Sequence, residues 1–341
     1  MGNPCADILV IKLRYIGDVI LTTPLLRSLR ESFPRSRITV LVRQGTESVL
    51  QNNPCIDNIV VLPRANWIQQ IQFLKFIRSS HFDCVIDLSD GDRSAFLAAI
   101  SGAKIKIGFN REGRWRGKFY SETVNVGYGN MHMLDYHAQT LFPLGIEPKV
   151  SNPDIVLTAE EGLAAEQTLI KHKLQNVQWV MLHPAARYWF KAWGAERFAA
   201  FGEALVKEGF QVVLVGNENE EAVAEKVVKL AQDKFISLAG KTTLRELAAL
   251  MTHCCLFVGN DAGPMHMAAA VGCPVLGLFG PTDPGVWGPR GKKCYTIYKG
   301  LDCHECFHPG CQRGELSCMN LISVEEVISK SLEILGQKIS L

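Results

Sequence analysis

Asp18 follows Gly17 just beyond a continuous apolar run, Ile8 to Leu13, and the apolar spacing after it is helical through about residue 33. A run without polar alternation reads as a strand covered on both faces. In an open α/β sheet, ligands sit beyond the carboxyl ends of the strands. The Gly17-Asp18 step therefore brings a carboxylate to a site mouth, where it can accept a proton from a bound hydroxyl. Asp is also a good helix cap, and these residues alone leave both roles open.

A second junction, Gly259-Asn-Asp-Ala-Gly-Pro-Met-His266, again leaves a buried strand and starts a helix. Pro264 in the first turn costs no hydrogen bond, because that N–H has no helical partner. The free N–H groups of the turn and the positive end of the helix dipole make a seat for phosphate. Gly263 lets an anion approach the backbone closely. Asp261, itself anionic, suits sugar hydroxyls better, and His266 lies about one turn further on. A tight turn with Asp261 as cap is the plainer alternative. The segment Leu182–Trp193 also runs from strand to helix and carries Arg187 and Lys191. A cation there could neutralise a departing diphosphate. After Gly216 come Glu218, Glu220 and Glu221, at the place where a ribose diol is commonly bound. Glu220 is the candidate, although acids also favour helix starts. The glycine-rich stretch 108–118 holds Arg111, Arg114, Arg116 and Lys118 around Trp115. It reads as a mobile basic lid for an anionic acceptor near Asp18, or as a solvated loop.

These residues need a framework, and the periodicity supplies one. Strands are expected at 8–13, 37–42, 58–62, 82–88 and 104–109, with helices at 19–33, 66–80, 92–101 and 131–142. Two prolines interrupt the rhythm in Gly145–Pro153, as in a linker. Strands then return at 179–183, 210–216, 235–238, 255–260 and 274–279. Helices are expected at 195–208, 218–231, 244–251, 264–271 and 323–336. The fold class is α/β, with two Rossmann-like domains facing a central cleft. The first domain spans 1–150. The second spans 151–341 and includes a cysteine-rich segment, 294–318, and a final helix.

The 36 Lys and Arg nearly balance 34 Asp and Glu, which excludes a nucleic-acid binder that relies on a broad phosphate footprint. No apolar stretch reaches the length of a membrane span, and the start lacks the pattern of a signal peptide. The expectation is a cytoplasmic protein. Five of the 11 cysteines crowd near the C-terminus. Cys303, Cys306, Cys311 and Cys318, with His304 and His308 nearby, could form a structural zinc site. The spacing of Cys311 and Cys318 is not that of a standard zinc ribbon.

Together the motifs resemble glycosyltransferase family 9, the ADP-heptose:lipopolysaccharide heptosyltransferases. The resemblance rests on Ile16-Gly17-Asp18 with Thr22-Thr23-Pro24 and on His183-Pro184 with Lys191-Ala-Trp193. It continues through Gly240–Leu247, Gly259–His266 and Phe279-Gly-Pro-Thr-Asp-Pro284; the cysteine tail ending Cys318-Met319 resembles the heptosyltransferase II branch. It implies a GT-B fold and inverting transfer of heptose from ADP-L-glycero-D-manno-heptose to the inner core of a lipopolysaccharide precursor at the inner membrane face. It also implies a peripheral place at that membrane and no required cofactor or catalytic metal. Asp18 is then the catalytic base. Lys191, Glu220, Asp261, Ala262, Gly263 and His266 hold the donor, and Gly17, Thr23, Arg111, Arg114 and Arg116 hold the acceptor. Ala262 stands where the family often has Ser or Thr, so one donor hydrogen bond is missing. The alternatives are another sugar-nucleotide enzyme of the same fold, such as a hexosyltransferase or epimerase, and a nucleotide-binding scaffold without turnover. A dinucleotide dehydrogenase is disfavoured because the first βα turn lacks G-x-G-x-x-G.

Overall fold

The apolar run forms β1 (Asp7–Lys12), buried along almost its whole length. The helix expected after it is broken in two, α1 (Ile16–Ile20) and α2 (Thr23–Ser32). Pro24 has no N–H to continue the ladder, and the Thr22 and Thr23 hydroxyls donate back to Val19 O and Ile20 O. The computed structural model describes residues 5–63, 66–127, 129–149, 151–303 and 310–337. The chain divides into two units, Met1–Val156 and Leu157–Leu341.

In the first unit follow β2 (Arg37–Arg43), β3 (Asn58–Leu62), α3 (Trp67–Ser79), β4 (Cys84–Asp87), α4 (Asp92–Ser101), β5 (Ile105–Phe109), β6 (Glu122–Val124) and α5 (Met133–Ala138). The strands are all parallel, in the order β3-β2-β1-β4-β5-β6. Leu9, Ile11, Leu41, Ile77, Val85 and Ala98 are among the side chains that fill the core on one face. The segment after α5 stays with this unit. Arg27 pairs with Asp154 at 3.0 Å, and the Asp154 N–H donates to Thr23 Oγ1 at 3.0 Å.

The second unit comprises α6 (Ala159–Lys171), β7 (Trp179–His183), α7 (Ala195–Lys207), β8 (Gln211–Leu214), α8 (Glu221–Leu230), β9 (Ile236–Ser237) and α9 (Leu244–Met251). It continues with β10 (Leu256–Asn260), α10 (Gly263–Ala270), β11 (Val275–Phe279), α11 (Pro284–Trp287), β12 (Cys294–Tyr298) and α12 (Val324–Leu335). Its parallel sheet runs β9-β8-β7-β10-β11-β12, the same winding as the first. Each sheet therefore changes direction at its centre, between β1 and β4 and between β7 and β10, where ligands gather in such folds. Among the described residues no helix is long and apolar enough to cross a membrane.

Four elements are absent from the periodic reading, one of them α11, a helix of only four residues. The strands β6 and β12 are sheet edges with exposed or half-exposed side chains, so they lack a continuous apolar run. Helix α6 buries chiefly Ala165 and Leu169, a thin stripe. Its start is fixed by a capping box: Thr158 Oγ1 accepts from Glu161 N, and Glu161 Oε2 accepts from Thr158 N. Glu161 also takes a bidentate pair from Arg245 of α9, at 2.7 and 2.6 Å. Chiefly through that pairing, its carboxyl is lowered to about 2. A depressed carboxyl contributes stability above its unfolded value and loses it as the pH falls toward its folded one. Glu161→Gln, which can keep the capping box, should cost about 1–2 kcal/mol at pH 6, since the pair is partly solvated. Urea unfolding should show that difference shrinking as the pH falls from about 4.5 toward 3; a pH-independent difference would refute the assignment.

Candidate active site

In the first unit Lys12, the last residue of β1, is 2% exposed. Its ammonium has three partners: Leu88 O at 2.9 Å, His137 Nε2 at 2.8 Å, and Asp18 Oδ1 at 3.5 Å. Burial lowers Lys12 from its ordinary value, and the charge of Asp18 works against that. Asp18 lies in the first turn of α1 rather than at its cap, which is Tyr15. The capping role is thus removed, and the carboxylate, 16% exposed, remains paired with a buried cation at the carboxyl edge of the sheet. Gly17 is buried in the same turn. On the neighbouring strand Asp87 is wholly buried and pushed up by that burial, while accepting from Ser89 N and the Tyr120 hydroxyl.

Two acceptor expectations change. Arg116 is no part of a mobile lid: it is 4% exposed and donates to Asp90 at 2.5 Å, with Asp92 at 3.6 Å. The apolar footing of Trp115 against Phe119 holds the turn, and a Cβ at Gly108 would run into the Tyr120 ring. Arg111 and Arg114 are exposed, with Arg114 paired to Glu112. Thr23 is also buried, and its hydroxyl is used by Ile20 O and Asp154 N, so it anchors segment 152–154 instead of meeting a ligand.

In the second unit the carboxyl ends of β7 and β10 lie side by side, with His183 opposite Gly259. His183 Nε2 lies 3.3 Å from Glu220 Oε2, which also accepts from Asn217 N at 2.9 Å. A carboxylate can only accept, so His183 carries its proton on Nε2. Burial would raise Glu220, but the His183 and Asn217 bonds outweigh it and hold the carboxyl below its ordinary value. Lys191 pairs with Asp261, whose Oδ2 also accepts from Thr282 Oγ1 at 2.6 Å. Helix α10 starts at Gly263 with Ala262 as a cap that offers no side-chain bond. Pro264 has no N–H and the Met265 N–H donates to Ala262 O at 3.1 Å, so the Gly263 N–H, uncapped by a side chain, is the first-turn donor suited to an anion. His266 is 5% exposed, inside that helix.

Asn260 was not anticipated and organises the edge. It is wholly buried; Nδ2 donates to Pro184 O and Ala185 O, and Oδ1 accepts from Trp193 N. The Lys191 loop is thereby clamped to the end of β10. Trp193 anchors the other end of the loop, with Nε1 on Ile322 O at 2.8 Å and its ring edge-on to Phe198 and Phe201. Gly194, at φ +107°, then turns the chain into α7, a conformation that suits glycine. The sequence signal for Asn260 was its place one residue before Asp261. Lys12 and His137 gave none, because a Lys ending an apolar strand reads as solvated.

In the tail, Arg313 donates to Cys303 Sγ at 3.1 Å, and Cys318 packs against the second core. Among the described residues no three His, Cys, Asp or Glu side chains converge as a metal site. Cys306, His304 and His308 lie outside the described residues.

Residues 71–316 match the family model described as glycosyltransferase family 9 (heptosyltransferase). Lipopolysaccharide heptosyltransferase 3 of Escherichia coli is 31% identical over 302 residues, covering 84% of this chain and 87% of the relative. A glycosyl transferase family 9 structure from Veillonella parvula superposes with a TM-score of 0.84 at 27% identity, over 97% of both chains. The structure of E. coli ADP-heptose lps heptosyltransferase II gives 0.80 at 20% identity, covering 97% of this chain and 98% of that one. The doubly wound units are those of the GT-B architecture, and the chain belongs to glycosyltransferase family 9.

Proposed function

We propose that this enzyme moves heptose, with inversion, from ADP-L-glycero-D-manno-heptose to a Kdo- or heptose-bearing lipid A precursor in lipopolysaccharide core assembly. The observation that carries the reading is the carboxyl edge of the second unit. An uncapped helix start, Lys191 and the Glu220 carboxylate stand there at the ends of adjacent strands, the set a nucleoside diphosphate requires. Gly263 and Lys191 would take the diphosphate charge as it departs, Glu220 the ribose diol, and Asp261 the sugar hydroxyls. In the first unit Asp18 would accept the proton of the attacking hydroxyl while the anomeric carbon becomes oxocarbenium-like. ADP is a good leaving group, so no acid is required on that side. Similarity to the E. coli lipopolysaccharide heptosyltransferase 3 and ADP-heptose lps heptosyltransferase II supports this choice of partners.

A lipid-borne acceptor also fits α3. Trp67, Ile68, Ile71 and Phe76 are exposed on it, and the run 64–80 has Arg64, Lys75 and Arg78 but no carboxylate. A helix with exposed apolar residues and a cationic sequence suits an anionic lipid surface, which supports a peripheral place at the inner membrane face. The test is incubation of the purified protein with ADP-heptose and truncated lipopolysaccharide, followed by mass spectrometry and anomeric analysis. One added heptose of inverted configuration is expected, and turnover should persist in excess EDTA because Lys191 and the helix end supply the positive charge. Conversion of the donor without acceptor would mark an epimerase, and ADP binding without turnover a scaffold; either would overturn the reading.

A further inference from the structure

We propose that Lys12 and His137 form a positioning pair for the reaction: the Lys12 ammonium, held by the imidazole of His137 and by Leu88 O, directs its remaining proton at Asp18 and fixes that carboxylate at the site mouth. The inference rests on Asp18 as base and concerns two residues that touch no substrate.

The geometry leaves little freedom. A lysine ammonium has three N–H donors, and Lys12 has three acceptors within reach, from the end of β4, from α5 and from α1. His137 Nδ1 lies 3.2 Å from Leu21 O, a carbonyl that can only accept. The proton of the ring is therefore on Nδ1, and Nε2 presents a lone pair to Lys12. Burial and the Lys12 charge both hold His137 well below its ordinary value, so the ring stays neutral and keeps that lone pair. Leu21 immediately follows α1, so His137 ties the ammonium and the end of the Asp18 helix to one ring.

The charged and titratable groups around this centre are Asp18 on α1, Arg14 just after β1, Asp87 on β4, and His137 with His132 behind it. Burial and Arg14 favour neutral Lys12; Asp18 and Asp87 favour the cation. The acceptor at His137 works on the side of the cation, because a lone pair held against an ammonium N–H favours the charged form. Without it, Lys12 loses its proton at lower pH, Asp18 loses its tether, and turnover falls on the alkaline side.

The test is the pH profile of kcat/KM for wild type, His137→Leu, His137→Gln and Asp18→Asn, with ADP-heptose and truncated lipopolysaccharide. His137→Leu should draw the alkaline limb down by about one pH unit, the worth of a lost charge-assisted hydrogen bond. It should lower kcat about tenfold or more, as small misplacements of a reacting group do, and leave donor KM unchanged. His137→Gln, whose amide oxygen can accept from Lys12, should restore the limb. A limb unmoved in a folded His137→Leu protein, with Asp18→Asn inactive, overturns the pair and leaves the base intact; an active Asp18→Asn protein overturns the base itself. Should His137→Leu fail to fold, nitrogen-15 NMR of histidine-labelled wild type decides the matter. A neutral ring protonated on Nδ1 from pH 6 to 9 is expected, and an imidazolium or the Nε2–H form refutes the pair.

Discussion

Asp18→Asn should lower kcat by about 10²–10⁴-fold, the usual loss when a general base is removed. The amide has nearly the shape of the carboxylate, so the acceptor can still bind, but it cannot take a proton at neutral pH. The groups proposed to hold the donor, Lys191, Glu220 and Asp261, belong to the second unit, and ADP affinity measured by calorimetry should not change. One side effect is expected. Lys12 is buried with Asp18 as a paired counter-charge, and removing one partner of a buried pair destabilises a fold. The melting temperature should fall by a few degrees, so activity must be compared where both proteins are folded. A folded Asp18→Asn enzyme with near-normal turnover would eliminate the base.

Lys191→Ala should reduce kcat/KM for the ADP-sugar by about 10²–10³-fold, in the range for loss of a group that stabilises developing charge. The lost cation is only half of the effect. Asp261 Oδ2 is held by Lys191 and Thr282, and without the lysine its charge stands beside the site for a diphosphate with only a hydroxyl to moderate it. Both KM and kcat should suffer, since attraction is lost in the ground state and in the transition state. Adding Asp261→Asn to Lys191→Ala should recover part of the ADP affinity, because it removes the repulsion. Calorimetry showing the double variant no better than the single one would mean that Asp261 does not face the phosphates.

Most of the framework was legible because buried parallel strands advertise themselves as apolar runs. β1, β7 and β10 were readable for that reason, and α4, α7 and α9 for their helical spacing. The edge strands β6 and β12 were not, since neither carries such a run, and α6 depends on a capping box and an ion pair to Arg245. The site shows the same division. Asp18, Lys191, Glu220 and Asp261 sit at strand–helix junctions, where position in the chain implies position in space. Lys12 met His137 only through the fold, across a sequence separation that no local pattern can report. Arg116 went wrong for a related reason. Four cations in a glycine-rich stretch look solvated until Asp90 and Asp92 are brought alongside.

The anchoring of residues 152–154 by Arg27 and Thr23 bears on how such enzymes diversify. A recombination breakpoint before Pro153 would strip those anchors from their host, whereas one after Val156 leaves both sheets and both anchors whole. A chimera of two family members joined after Val156 should therefore keep each unit's sheet and its tethers, and one joined before Pro153 should melt earlier for want of them.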